Sequence, residues 1–362
     1  MLVYLDTAEL AELDRLDRSG DPVVTEFFRV WAERQYVLAL SRTHAEEMAQ
    51  LEDMESLGKR LGMLERFPTL AFNDANHDWV SELEIRAQTL QRLNADESNP
   101  YRKIRDDLFP ICEPGSFWRF VLELRPHVLA ARTHREQAAT LENRELHSRR
   151  MLRKVAGKRP KLPAITDVDP LFFEIVGRQY NRLMEATNDP FSMHVRGRLQ
   201  TCRGRKLSRR QALLCIYGLE EFPAAARAPD EDLSMLGWLK ELGERYVHKW
   251  CVLEGFPSDA VTAALHDFDP YAAPGISSGR AVYRGWRKSD NRRKPGDHSD
   301  GEHILAAAHT DHAFVDSRTA TFIEQSRRSE PDLLSPCLQT VFHRSGPVES
   351  VLKALTGSED IA

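Results

Sequence analysis

Short, mostly apolar runs alternate with helical patterns at both ends of this chain, and that alternation constrains the fold more than any other feature. The runs are Leu2–Leu5, Tyr36–Leu40, Thr69–Phe72 and Ala313–Val315. A short strand that is apolar throughout has to be buried on both faces, as in parallel sheets covered by helices. Between the runs, apolar residues recur at helical spacing: Leu10, Leu13 and Leu16, then Val23, Val24, Phe27, Phe28 and Trp31, then Met48, Leu51, Met54 and Leu57. Thr43 to Glu46 fits a capping box opening the third of these helices. This order predicts an α/β domain with a parallel sheet.

The middle of the chain is different. Long helical patterns run over 79–93, 117–146, 170–186, 208–219 and 230–253, with prolines between them and almost no strand alternation. A Pro/Gly/Ser-rich stretch over 268–279 reads as a joint. The expected division is a first α/β segment 1–94, a helical insertion 95–280, a second α/β segment 281–335 and a C-terminal tail 336–362. Within the tail, 338–342 fits a strand.

The chain is 41% hydrophobic and 29% charged, which excludes global disorder. It has no run near the ~20 apolar residues of a membrane span and no signal-peptide pattern, so a cytoplasmic protein with no membrane partner is expected. Its five cysteines, Cys112, Cys202, Cys215, Cys251 and Cys337, form no CxxC and are expected as reduced thiols. The net charge of −5 is unevenly spread. Windows 149–161, 196–210 and 280–294 each hold seven Lys/Arg, against one acid, Asp290. Such clusters are the footprint of a polyanion site, or else solvated loops. The candidate nucleic-acid contacts are Arg203, Arg205, Lys206, Arg209, Arg210, Arg292, Arg293 and Lys294.

Carboxylates stand at the ends of the elements. Asp6 follows the first strand and Asp316 the last clear one, while Asp300 opens a helix. Glu47 follows the second strand by a turn and shares a face with Leu51 and Met54; Glu46 lies on the wetter side but remains an alternative, as do Asp297 and Asp311. Singly, each acid reads as a helix cap or a solvated side chain. Ligands, however, collect at the carboxyl edge of open α/β sheets, and clustered carboxylates need a compensating charge. Mg²⁺ or Mn²⁺ supplies it, and such ions polarise phosphodiesters and activate water. His298, His303, His309 and His312 fit no ligand spacing, and His303 reads as support for Asp300.

Four segments, Leu5–Thr7, Ser41–Met48, Asp300–Ala308 and Phe314–Thr319, together resemble the PIN-domain nucleases, the family of many toxin–antitoxin ribonucleases. The resemblance covers 1–93 and 295–330, about a third of the chain. It implies a PIN-like parallel-sheet domain built from N- and C-terminal segments and interrupted by a large all-α insertion. It also implies Asp6, Glu47, Asp300 and Asp316 as catalytic metal ligands in an Mg²⁺- or Mn²⁺-dependent endoribonuclease with a toxin or defence role. An RNA substrate follows, with a protein inhibitor and a homo-oligomer as further partners of the kind. Phe314 and Val315 depart from the Ser or Thr that the family often carries before its last Asp. Two alternatives use the same residues: a DNA nuclease, and a catalytically inert helical module that binds nucleic acid or protein.

Overall fold

The computed structural model describes residues 1–51, 53–71, 80–93, 100–109, 115–130, 190–202, 205, 207–288, 297–334 and 339–357, with the backbone alone at 100–103, 190, 288 and 297–300. The apolar runs form a parallel sheet of five strands: β1 (Leu2–Leu5), β2 (Val37–Leu40), β3 (Thr69–Ala71), β4 (His312–Val315) and β5 (Val341–Arg344). Their order is β3-β2-β1-β4-β5. The two ends of the sequence thus meet at the middle of the sheet, where Val3 pairs with His312 and Leu5 with Phe314.

Successive strand residues point to opposite faces. Val3, Leu5, Leu38, Leu40 and Phe314 face a core shared with α1 (Thr7–Ser19), α2 (Pro22–Glu33), α4 (Met54–Leu64), the helix 116–130 and the helix Val348–Thr356. Tyr4 points the other way, against His44 of α3 (Arg42–Ala49) and His303 of the helix Asp297–Ala307. That second face therefore carries a buried tyrosine and two buried histidines.

The described residues group into two compact units. One holds the sheet and comprises 1–84, 100–109, 115–130 and 271–357 as described; the other comprises 85–93 and 190–270 as described and is helical throughout. This partition differs from the expected one. Residues 100–130 belong with the sheet, through apolar side chains such as Phe117, Phe120 and Val121 in its core. The C-terminal region supplies a strand and a helix to the same unit, not a tail. Its strand is poorly marked because β5 lies at the sheet edge, with two residues half-buried and two exposed.

The expected joint is also not a linker. Pro274–Lys288 is one helix, and its glycines mark close packing. A Cβ on Gly285 would run into the Phe322 ring, and one on Gly275 would lie 2.7 Å from the Leu305 carbonyl oxygen. The cysteine expectation needs correcting too. Cys202 and Cys215, on the helices Pro190–Cys202 and Arg209–Tyr217, are joined by a disulfide; Cys251 is free and buried, and Cys112 and Cys337 lie outside the described residues. The partners are thirteen residues apart across a helical hairpin, a spacing with no sequence signature. Among the described residues, no helix is long and apolar enough to cross a membrane.

Candidate metal centre

The carboxyl edge of the sheet carries a mixed group of donors. Asp6 leaves the end of β1 at the N-cap position of α1, yet its side chain makes no capping hydrogen bond. The carboxylate faces inward. Asp6, Glu47 of α3 and His303 each present a ligand atom, and these atoms lie within 4.8 Å of one another. His303 Nε2 is 3.3 Å from Glu47 Oε2 and 3.9 Å from Asp6 Oδ1. Asp316 leaves β4, the strand beside β1, at the same edge, so its charge reaches Asp6.

Asp316 is also a working helix cap. Its Oδ1 accepts hydrogen bonds from the backbone N–H of Arg318 at 2.9 Å and of Thr319 at 3.2 Å. Of the two strand-end acids, Asp316 thus caps its helix with its side chain and Asp6 does not. Asp300 and Asp297 lie on the helix Asp297–Ala307, but their side chains are outside the described part of the structure. Glu46 pairs with Arg42 at 2.8 Å and is not among the three donors.

Asp311 lies at the opposite end of the sheet. Both of its oxygens accept from Arg105 at 3.0 Å, and Oδ2 also accepts from the Leu2 backbone N–H. A strand of this length puts it about 13 Å from the carboxyl edge. The four candidate histidines, His298, His303, His309 and His312, separate likewise. His309 bonds to buried Glu84 at 2.9 Å, His312 bonds to His343, and the His298 side chain is outside the described part. Only His303 among the described three enters the centre.

Little in the amino-acid pattern points to what supports that histidine. The Tyr4 hydroxyl, wholly buried, bonds to His303 Nδ1 and, at 2.8 Å, to Ser41 Oγ. Ser41 caps α3, two residues earlier than expected, and its backbone N–H donates to His44 Nδ1 at 3.0 Å. His44 Nε2 then donates to the Leu5 carbonyl at 2.7 Å. These bonds fix the His44 tautomer, and burial together with the nearby His303 lowers its pKa to about 3. Tyr4 looks like one more apolar strand residue in a sequence, and only the structure gives its hydroxyl a partner.

Electrostatics fit a site awaiting positive charge. Burial raises the Asp6 carboxyl above its usual range, with Glu47 and Asp316 adding to the rise and His303 opposing it. Glu47 is also buried, which alone would raise it. His303 and the Thr7 hydroxyl outweigh burial and bring it down to about 2. A further acid, Glu9, is buried on α1 one turn after Asp6, and burial raises it to about 7 despite the Ser345 hydroxyl beside it. Its signal in the sequence was its spacing of three from Asp6.

The expected nucleic-acid residues are only partly free of internal duties. Arg210 binds Asp230 and the Ala225 carbonyl, and Arg205 lies 3.6 Å from Glu220. Arg209 is exposed in the first turn of its helix. Arg203, Lys206, Arg292, Arg293 and Lys294 lie outside the described residues. In the third basic window, Arg280 and Arg284 are spent on Glu330.

Comparison of the chain with protein-family models, with curated proteins and with solved structures finds no match.

Proposed function

We propose that this protein is a divalent-metal-dependent endonuclease of the PIN kind acting on RNA, with its centre at Asp6, Glu47, His303 and Asp316. The observation that carries the reading is the convergence of Asp6, Glu47 and His303 within 4.8 Å at the carboxyl edge of a parallel sheet, with Asp316 on the adjacent strand. Acids this close, one of them with a raised pKa, hold unfavourable charge that a cation relieves. Two carboxylates and an imidazole are a suitable donor set for a divalent ion.

A bound cation would supply Lewis-acid stabilisation to a phosphodiester undergoing displacement. The chain's own residues do the rest. Glu47 and Asp6 would hold the ion, and the Thr7 hydroxyl near Glu47 favours its charged form. Asp316 adds negative potential and fastens the helix Ser317–Ser329 to the edge. Exposed basic side chains such as Arg209 contribute phosphate contacts. A cytoplasmic toxin or defence role extends the same reading.

The test is cleavage of labelled RNA, single-stranded DNA and duplex DNA, side by side, with Mn²⁺ or Mg²⁺, by the wild type and Asp6→Asn. RNA cleavage that needs metal and is lost in Asp6→Asn supports the proposal. Preferential DNA cleavage changes the substrate, and full activity in Asp6→Asn removes the site.

A further inference from the structure

We infer that His303 is a nitrogen ligand of this centre, held in place by Tyr4, and that the centre therefore selects a first-row transition ion such as Mn²⁺ over Mg²⁺. The inference rests on the proposed metal centre but concerns which ion it takes and which side chains decide that. An all-carboxylate site has no reason to discriminate strongly, because oxygen ligands suit Mg²⁺ and Mn²⁺ alike. An imidazole changes the balance. Nitrogen is a good donor to first-row transition ions and a poor one to Mg²⁺, which keeps its waters and bonds mainly to oxygen.

Three observations assign His303 this part. Its Nε2 lies 3.3 Å from Glu47 Oε2 and 3.9 Å from Asp6 Oδ1, so this edge of the ring faces the cluster. The ring is almost wholly buried and cannot swing away, with Tyr4 edge-on at 5.7 Å and His44 at 4.8 Å between centroids. Its other nitrogen, Nδ1, is engaged by the Tyr4 hydroxyl. A metal-ligating histidine characteristically donates its second N–H to such an acceptor, which sets both its tautomer and its orientation.

The hydroxyl chain behind His303 can meet that need. Tyr4 and Ser41 hydroxyls are each donor and acceptor. When Nδ1 carries the proton, it donates to Tyr4, Tyr4 donates to Ser41, and Ser41 donates towards His44 Nδ1, which lies 3.1 Å away. His44 Nε2 donates to the Leu5 carbonyl at 2.7 Å, so in the neutral ring Nδ1 is the acceptor at the end of the chain. Nε2 then presents its lone pair to the cation. Tyr4→Phe would leave a buried Nδ1–H with nothing to accept it, a penalty felt only in the ligating tautomer. Tyr4 is a positioning residue, acting through His303.

The test uses the full chain and the metals alone. Mn²⁺ is titrated into the wild type by calorimetry, Mg²⁺ is used as competitor, and the Mn²⁺ complex is examined by pulsed electron paramagnetic resonance for coupling to ¹⁴N. The expected result is Mn²⁺ binding at least about tenfold tighter than Mg²⁺, with a nitrogen coupling that vanishes in His303→Gln. Tyr4→Phe is expected to keep the coupling and lose about 10- to 100-fold in Mn²⁺ affinity. Mn²⁺ bound without nitrogen coupling in the wild type overturns the inference whether or not the variants fold, and leaves the nuclease reading intact. A wild type that binds no Mn²⁺ ends both.

Discussion

The two ends of one pair of strands carry acids in similar positions and treat them in opposite ways. At the amino end of β1 and β4, Asp311 is satisfied by the protein itself: Arg105 clasps both oxygens and the Leu2 N–H adds a third bond. Its pKa is lowered by those partners in spite of burial. At the carboxyl end, Asp6 and Glu47 face each other and a histidine, and burial raises Asp6. The same residue type is therefore a structural clamp at one edge and, at the other, a buried carboxylate facing a second acid. What distinguishes them is whether the fold itself supplies the positive charge.

The largest effect should come from removing the poised acid. Asp6→Asn keeps the size and the N-cap position, yet deletes the charge facing His303 and Glu47. Metal-dependent RNA cleavage should fall roughly a thousandfold or more, since the ion's contribution is worth several kcal/mol. Asp316→Asn should also lose activity while Asn preserves the cap. Circular dichroism alongside the assay checks that both variants fold. Full activity in either breaks the comparison at its stronger end.

Glu9 tests the electrostatic side of the contrast. Its pKa is raised from 4.5 to about 7, so its contribution to stability is fully present below 4.5 and is lost as pH rises through 7. Asp311, with its lowered pKa, has the opposite sign and loses its contribution as pH falls. Glu9→Gln mimics the protonated acid. The variant should match the wild type near pH 4 and gain on it by about 1.4 kcal/mol per pH unit, to about 3 kcal/mol at pH 8. Urea unfolding across that range measures it, and a pH-independent difference would falsify the assigned shift.

These contrasts also show what the sequence could carry. Strand ends are visible in it, because a short apolar run followed by an acid marks both the strand and its exit, and so Asp6 and Asp316 fall at one edge as expected. The parallel α/β sheet was legible for the same reason. Tyr4 and His44 were not, since a buried polar group sits in an apolar pattern and becomes visible only when its partner, distant in sequence, is known. His303 was noticed, but as a helper of Asp300, because helical spacing cannot say which neighbouring element a side chain meets. Gly275 and Gly279 read as part of a linker, although small residues serve close helix packing equally well. Composition cannot separate those two uses of glycine.

A divalent ion should stabilise one edge and not the other. At a hundred times its dissociation constant, Mn²⁺ should raise unfolding free energy by about 2.7 kcal/mol in the wild type and in Asp311→Asn. It should do nothing for Asp6→Asn. Thermal melts with and without Mn²⁺ read this directly, and equal stabilisation of all three would place the ion elsewhere.

The smallest effect belongs to the clamp. Asp311 and Arg105 are each about a third exposed, so solvent screens their attraction and the pair is worth about 1 kcal/mol or less. The Leu2 N–H bond survives in Asp311→Asn if the amide oxygen takes the place of Oδ2. The variant should therefore unfold at slightly lower urea concentration and cleave RNA at the wild-type rate. Its loss of stability should also shrink as pH falls through the Asp311 pKa, because the protonated wild type then resembles the amide. If Asp311→Asn instead lowered cleavage or Mn²⁺ affinity, the amino edge would belong to the site. The division between a self-satisfied acid and a poised one would then fail at its weaker end.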